Sequence, residues 1–361
     1  MSGKNRPRKN RALRSHKIGL PPGALVPVGE IKTEHLSVTL TGYGVEEIVE
    51  QRFDGIVEAL AQPSRMPTLW VNVYGLPSAG EMSALGSRFG LHPLVLEDIL
   101  NTDQRPKVDD YGDYLYIVAR FFDYAGETLT VSSDQVSMVL GKNFVLTFQE
   151  RPTGSFDPVR ERLRQNRGQI RRFAADYLAY TLLDALVDRY FLVLEQISER
   201  TETLEDQLMQ RATPDVLQTL HQLKRETLTL RRSVWPLREV VATLTRGEGR
   251  FFQPETLPYL RDVYDHTVHV IESLEAIRDL IAGMLDIYLS SISNRVNQEV
   301  RLLTVIALIF MPATMISGIF GMNFRVMPLL ENPLGFYLAL GMIASIACVF
   351  GIAFWRRRWL G

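Results

Sequence analysis

A single cysteine, Cys348, stands in 361 residues. One thiol cannot form an intrachain disulfide, so no disulfide framework holds this fold, and its water-exposed part is compatible with a reducing compartment. Net charge is nearly absent, −1 at pH 7 with histidine neutral, which removes the global electrostatic bias expected of a nucleic-acid binder. No glycine-rich phosphate loop, zinc-hydrolase motif or Ser/His/Asp arrangement can be picked out, so nothing in the chain points to an enzyme. Two stretches lack charge altogether: Leu302–Phe320 (LLTVIALIFMPATMISGIF) and Leu334–Trp355 (LGFYLALGMIASIACVFGIAFW).

A bilayer core takes about 20 such residues as a helix, and both runs meet that length. Their length and lack of charge disfavour the competing reading, a pair of buried core helices. Arg295 and Arg301 precede the first run, Arg356, Arg357 and Arg358 follow the second, and the loop Gly321–Pro333 holds one Arg and one Glu. By the positive-inside rule both termini are cytoplasmic and the loop faces outward. Two helices cannot enclose an ion path, so conduction by this chain requires a homo-oligomer with one helix per subunit at the axis.

Residues 1–17 carry seven Lys or Arg and no acid. Without an apolar core this is no secretory signal, and residues 1–20 read as a disordered basic tail. Residues 21–155 read as a cytoplasmic α/β domain. Strands are expected at His35–Leu40, Thr68–Val73, Tyr114–Phe122, Thr128–Ser132, Gln135–Leu140 and Phe144–Gln149, and helices at Val45–Ala61, Ala79–Phe89 and Pro93–Ile99. Residues 156–250 form a cytoplasmic helical region. In it Thr213-Pro214-Asp215 marks a helix start and Trp235-Pro236 a kink or restart. Residues 251–320 read as one long stalk or pore helix that includes the span 302–320. The interior Gly283 costs such a helix only about 1 kcal/mol, and a break there is the alternative. Residues 321–333 are the extracytoplasmic loop, 334–355 the second span and 356–361 a basic cytoplasmic tail.

One face of the long helix stands out. Asn297, Val300, Thr304, Ala307, Met311, Thr314, Gly318 and Gly321 recur at steps of three and four. They are the small and polar residues of an otherwise Leu/Ile/Phe-rich span. Small residues let membrane helices approach, and polar ones line pores; the stripe alone leaves both readings open.

The stretch Phe320-Gly321-Met322-Asn323-Phe324, followed by Met327-Pro328, resembles the signature of the CorA-type magnesium transporters. Its place after the penultimate span, with a second span and a basic end beyond, makes the resemblance specific. HPLVLEDILN (His92–Asn101), QRPKV (Gln104–Val108), WPLREV (Trp235–Val240), RDVYDH (Arg261–His266) and YLSSISNRVNQEV (Tyr288–Val300) extend it over His92–Leu360. The resemblance implies an α+β cytoplasmic domain with long stalk helices and two C-terminal transmembrane helices, assembled as a funnel-shaped homopentamer in the cytoplasmic (inner) membrane. The implied activity is channel-like uptake of hydrated Mg²⁺, with Co²⁺ and Ni²⁺ as further ions, under feedback by cytoplasmic Mg²⁺. Mg²⁺ would be both the transported and the regulatory ion. The implied partners are the chain itself, membrane lipids and divalent cations, with no nucleic acid.

The same resemblance assigns residues. Gly321, Met322 and Asn323 form the selectivity filter, where five Asn323 amide oxygens would touch the hydration shell that Mg²⁺ holds tightly. Asn297, Val300, Leu303, Met311, Thr314 and Gly318 line the pore, with Met311 and Leu303 as apolar constrictions. Asp98 and Asp262 meet across a subunit interface as a regulatory metal site, and Glu97 and Asp184 form a second. Carboxylates brought together repel until a cation joins them, so loss of the ion loosens the ring. Arg356, Arg357 and Arg358 form a basic ring. The 4-3-4 spacing of Glu195, Glu199, Glu202 and Asp206 puts an acidic stripe on one helix face, open to concentrating cations or to pairing with that ring. Without the resemblance all these acids read as solvated surface charge. The outer loop departs from the family: Arg325 and Leu329 stand where acids are often found.

Two other readings stay open on sequence. One is a Zn²⁺-transporting member of the same family; the other is a non-conducting, membrane-anchored metal sensor, supported by Arg325 and Leu329. His266 and His269, three apart, read as surface or packing histidines, because one such pair lacks the remaining ligands of a usual zinc site.

Overall fold

The computed structural model describes residues 11–12, 19–30, 32–33, 35–63, 65–125, 130–247, 250–322, 329 and 332–356. These divide into two compact units. One comprises Met1–Asp206 with Gln218–Ala282, the other Gln207–Leu217 with Gly283–Gly361.

In the first unit, β1 (Arg11–Ala12) and β2 (Gly29–Glu30) make a short antiparallel pair. The β-branched and aromatic segments that follow build a seven-stranded sheet. Its strands are β3 (Ser37–Tyr43), β4 (Ile48–Phe53), β5 (Thr68–Tyr74), β6 (Lys107–Asp110), β7 (Tyr114–Ala125), β8 (Thr130–Gly141) and β9 (Phe144–Gln149). Their order is β4-β3-β5-β9-β8-β7-β6. The β5–β9 pair is parallel, with Leu69 opposite Phe144; the other pairs are antiparallel.

Strand side chains alternate between faces, and here both faces are covered. On one, Val71, Val73, Val118, Val139, Leu146 and Phe148 pack in one core with Ile56 of α1 (Ile56–Leu60), Met82 and Leu85 of α2 (Ala79–Phe89), and Val95 and Ile99 of α3 (Pro93–Leu100). On the other, Trp70 lies 6.1 Å from Phe156, edge to face, and under the guanidinium of Arg160 in α4 (Asp157–Arg164) at 5.1 Å. Farther along β7, Phe122, on the same strand face as Val118, meets Tyr190 of α5 (Ala175–Gln210) at 5.4 Å. The starts of α2 and α3 are written locally. Ser78 and Glu81 form a reciprocal capping box, Gly90 closes α2 at φ 66, and α3 opens with Pro93 behind a His92 cap.

Three expectations change. The helix expected over Val45–Ala61 is instead β4 followed by α1. β4 is an edge strand, so its residues from Val49 to Arg52 stay exposed, and a solvated strand can carry the Glu and Gln that otherwise favour a helix. The two strands expected at Thr128–Ser132 and Gln135–Leu140 are one, β8. Ser133-Asp134 looks like a turn, but Asp134 is 1% exposed and salt-bridged to Lys32 at 2.6 Å and Arg151 at 3.0 Å. Finally, α6 (Pro214–Arg246) runs through Pro236 without a restart, although proline cannot donate to the Arg232 carbonyl.

α7 (Leu257–Phe320) is a single helix of 64 residues, continuous through Gly283 and Pro312. At 1.5 Å per residue its contour is about 96 Å. α8 (Gly335–Arg356) has 22 residues. The most apolar 18-residue stretch in each of these two helices is only 6% buried. A core helix would bury that surface, so both are apolar helices in need of a non-aqueous surrounding.

Candidate functional site

The cytoplasmic acids fall into two groups. On α3, the Glu97 carboxylate accepts a hydrogen bond from the Gly23 amide at 2.5 Å. Its neighbour Asp98 receives the Lys107 ammonium at 2.7 Å on Oδ2. Lys107 also holds Asp109 at 2.6 Å and lies 5.4 Å from the centre of the Tyr116 ring. The Asp98 carbonyl is held by the side-chain amides of Gln104 and Gln135, at 3.3 and 3.5 Å.

The second group joins α5 to α7. Ligand atoms of Asp184, Asp188 and His266 lie within 4.8 Å of one another, and His266 Nε2 is 3.9 Å from Asp262 Oδ2. Burial pushes the Asp184 carboxyl up to about 6, and the Asp188 charge beside it adds to the rise; His266 and Arg162 partly offset it. His266 Nδ1 is buried with no hydrogen-bond partner. This is unmet negative charge beside an idle nitrogen donor, and a divalent cation would satisfy both. An N,O,O donor set of this kind suits transition ions as well as Mg²⁺. Both histidines also pack on Phe191, at 5.7 and 5.8 Å between ring centroids. The packing expectation therefore holds for both, and His266 also places a ring nitrogen beside the acids.

Among the described residues no ion pair or hydrogen bond joins Asp98 to Asp262 within the chain. Asp184 and Asp262 are electrostatic neighbours. Sequence reasoning passed over Asp188, Lys107 and the ligand character of His266. The signals were there: Asp188 follows Asp184 by four residues, and His266 follows Asp262 by four, one helical turn in each case.

On α7, Asn297, Val300, Leu303, Met311, Thr314 and Gly318 are all exposed, Met311 by 68% and Leu303 by 65%. At 100° per residue they occupy an arc of about 120°. The Thr304 and Thr314 hydroxyls donate to the Val300 and Phe310 carbonyls at 2.8 and 2.9 Å. Each keeps its proton on its own helix and offers an oxygen to the outside. α7 ends where Gly321 N donates to the Ser317 carbonyl at 2.9 Å and Met322 N to that of Ile319 at 3.2 Å. Asn323, Arg325, Arg357 and Arg358 lie outside the described residues; Arg356 ends α8. Leu329 has φ 75, a left-handed conformation uncommon for a side chain of its size. Glu195, Glu199, Glu202 and Asp206 are exposed on α5.

A sheet domain, a continuous 64-residue helix and two unburied apolar helices form a combination found in known proteins. The chain is 45% identical over 347 residues to the cobalt/magnesium transport protein CorA of Thermotoga maritima, covering 96% of this chain and 98% of that protein. It is 32% identical over 299 residues to a putative metal ion transporter of Bacillus subtilis, covering 83% and 91%. Its fold matches the complete structure of the CorA magnesium transporter from Methanocaldococcus jannaschii with a TM-score of 0.76 at 23% identity, covering 90% of this chain and 98% of that one. The family described as CorA-like Mg²⁺ transporter protein matches residues 67–358, a range that takes in β5 to β9 of the sheet, both acid groups and both apolar helices, and the chain belongs to that family.

Proposed function

We propose that this protein is a homopentameric, channel-like transporter that takes up hydrated Mg²⁺, and Co²⁺ as a second ion, across the inner membrane, with both termini in the cytoplasm. The observation that carries the proposal is the exposed arc of α7, which sets Asn297, Thr314 and Gly318 among Val300, Leu303 and Met311 on an unburied apolar helix that needs partners. Five copies of that arc would close an axial path. Gly321, Met322 and Asn323 would serve as the filter at its outer end, because neutral amide oxygens bind a hydration shell without trapping the ion. Met311 and Leu303 would make the apolar constrictions. Arg356, Arg357 and Arg358 would form the basic ring at the inner membrane face.

Cytoplasmic Mg²⁺ is the proposed closing signal. Asp98 and Glu97 of one subunit would face Asp184, Asp188, Asp262 and His266 of the next, and the bound ion would supply the positive charge that holds these acids together. The support is the unmet charge on Asp184 and the idle His266 nitrogen. The nitrogen also favours a second reading, in which the sensed ion is Co²⁺ or Zn²⁺; it bears on sensing, not on conduction. The test is ion uptake into proteoliposomes with low or high internal Mg²⁺, wild type beside Asn323→Ala. Uptake lost in Asn323→Ala and slowed by internal Mg²⁺ is the expected result. No uptake of Mg²⁺, Co²⁺ or Zn²⁺ from a folded pentamer would leave a non-conducting sensor.

A further inference from the structure

Asp98, on the reading above, must bind a divalent ion from the cytoplasm, yet its carboxylate already has a cation. Lys107 Nζ lies 2.7 Å from Asp98 Oδ2. The contact is built into the fold. Lys107 opens β6, where pairing with Val118 of β7 fixes its backbone. Its ammonium is 2.6 Å from Asp109, two residues along the same strand face, and 5.4 Å from the centre of the fully buried Tyr116 ring. The Asp98 backbone is fixed in turn by the Gln104 and Gln135 amides on its carbonyl. Lys107 cannot swing away without giving up Asp109 and the Tyr116 ring. Both side chains still reach solvent, Lys107 by 34% and Asp98 by 25%.

We propose that Lys107 is a tethered counter-ion that competes with the divalent cation for Asp98 and so sets the concentration at which the regulatory site fills. The inference rests on the reading of Asp98 as a sensor. An arriving divalent ion meets a positive charge within hydrogen-bond distance of the carboxylate it needs, and must displace that ammonium or bind against it. When the ion leaves, Lys107 stays, so the empty Asp98 is neutralised within its own subunit. Asp109 tunes the exchange: by sharing the ammonium it keeps Lys107 from pairing with Asp98 alone. The site is thereby a one-for-one exchange between a fixed monovalent cation and a mobile divalent one.

A unit charge about 5 Å from a divalent ion, near the protein surface and in physiological salt, changes its affinity by roughly five- to twentyfold. The experiment is a Mg²⁺ titration of the full-length protein in lipid nanodiscs, deriving the half-saturating concentration of the folded state from the rise of the unfolding temperature with Mg²⁺. Lys107→Gln is expected to lower that concentration five- to twentyfold and to make it more salt-sensitive. Lys107→Arg keeps the charge and is expected to hold it at or above the native value. Asp109→Asn leaves the ammonium to Asp98 alone and is expected to raise it. Should Lys107→Gln fail to fold, Asp109→Asn carries the same test with the opposite sign. If Asp98→Asn abolishes the response while Lys107→Gln leaves the midpoint unchanged or higher, or Asp109→Asn leaves it unchanged or lower, the counter-ion role is overturned and the sensor stands. If Asp98→Asn leaves the response intact, the sensor reading falls, and this inference with it.

Discussion

Replacing Asp184 by asparagine should stabilise the metal-free protein at neutral pH. The Asp184 carboxyl is raised from 3.8 to about 6, first by burial and then by Asp188. A rise of that size corresponds to roughly 3 kcal/mol for a fully buried group; partial solvent contact reduces it to about 1–2 kcal/mol. The sign follows from proton linkage. Below about pH 4 the carboxyl is protonated in both folded and unfolded chains, and the site costs nothing. Between about pH 4 and 6 the unfolded chain gives up a proton that the folded one retains, so stability is lost as pH rises, and the loss is complete above about 6. Asparagine removes the titration. In EDTA at pH 7 the variant should therefore unfold a few degrees above wild type, and the two should converge near pH 4. Added Mg²⁺ or Co²⁺ should reverse the order, since the ion stabilises only a site that carries charge. Thermal unfolding in a pH series, with and without metal, reads all of this. A variant equally destabilised at pH 4 and pH 7, or one that gains as much from metal as wild type does, would refute the reasoning.

Trp70→Ala should cost about 3–5 kcal/mol, because Trp70 is fully buried, donates to Thr147 Oγ1 at 2.9 Å and supports Arg160; denaturant unfolding followed by circular dichroism measures it. Gly283→Ala should stabilise by about 0.5–1 kcal/mol, since an added Cβ meets nothing within 4 Å along α7, and a raised unfolding temperature with unchanged uptake would show it. Gly335→Ala should lower the unfolding temperature and the yield of folded protein, because a Cβ there would lie 2.0 Å from the Leu329 carbonyl oxygen.

Much of the fold could be read along the chain, because its strongest signals are local. The Ser78–Glu81 capping box and Gly90 bound α2, and uncharged runs mark the two apolar helices without any knowledge of packing. What escaped depends on partners distant in sequence. β4 looks helical until β3 is laid against it, with Val38 opposite Phe53. Ser133-Asp134 looks like a turn until Lys32, about a hundred residues earlier, supplies a counter-charge. The candidate site divides in the same way. Gly321, Met322 and Asn323 are contiguous and carry their own signature. Asp98 and Lys107 lie nine residues apart, on α3 and β6, and meet only because the chain turns back between them. Asp184, Asp188 and His266 needed two helices brought side by side. Nothing in the sequence neighbourhood of Asp184 shows that burial raises the energy of its carboxylate.

α7 carries its 64 residues on one hydrogen-bonded ladder, so angular position is an additive quantity along it. Each inserted residue turns everything beyond it by about 100° and advances it by about 1.5 Å. One residue added after Gly283 would turn the arc of Asn297, Val300, Met311 and Gly318 as a body by about 100° against the part of α7 before it. Seven would lengthen the helix by roughly 10 Å and return that arc to within about 20°. The element is thus tolerant of whole double turns and intolerant of single residues. Its length is quantised, and an insertion series through it should show activity that falls and recovers with the period of the helix.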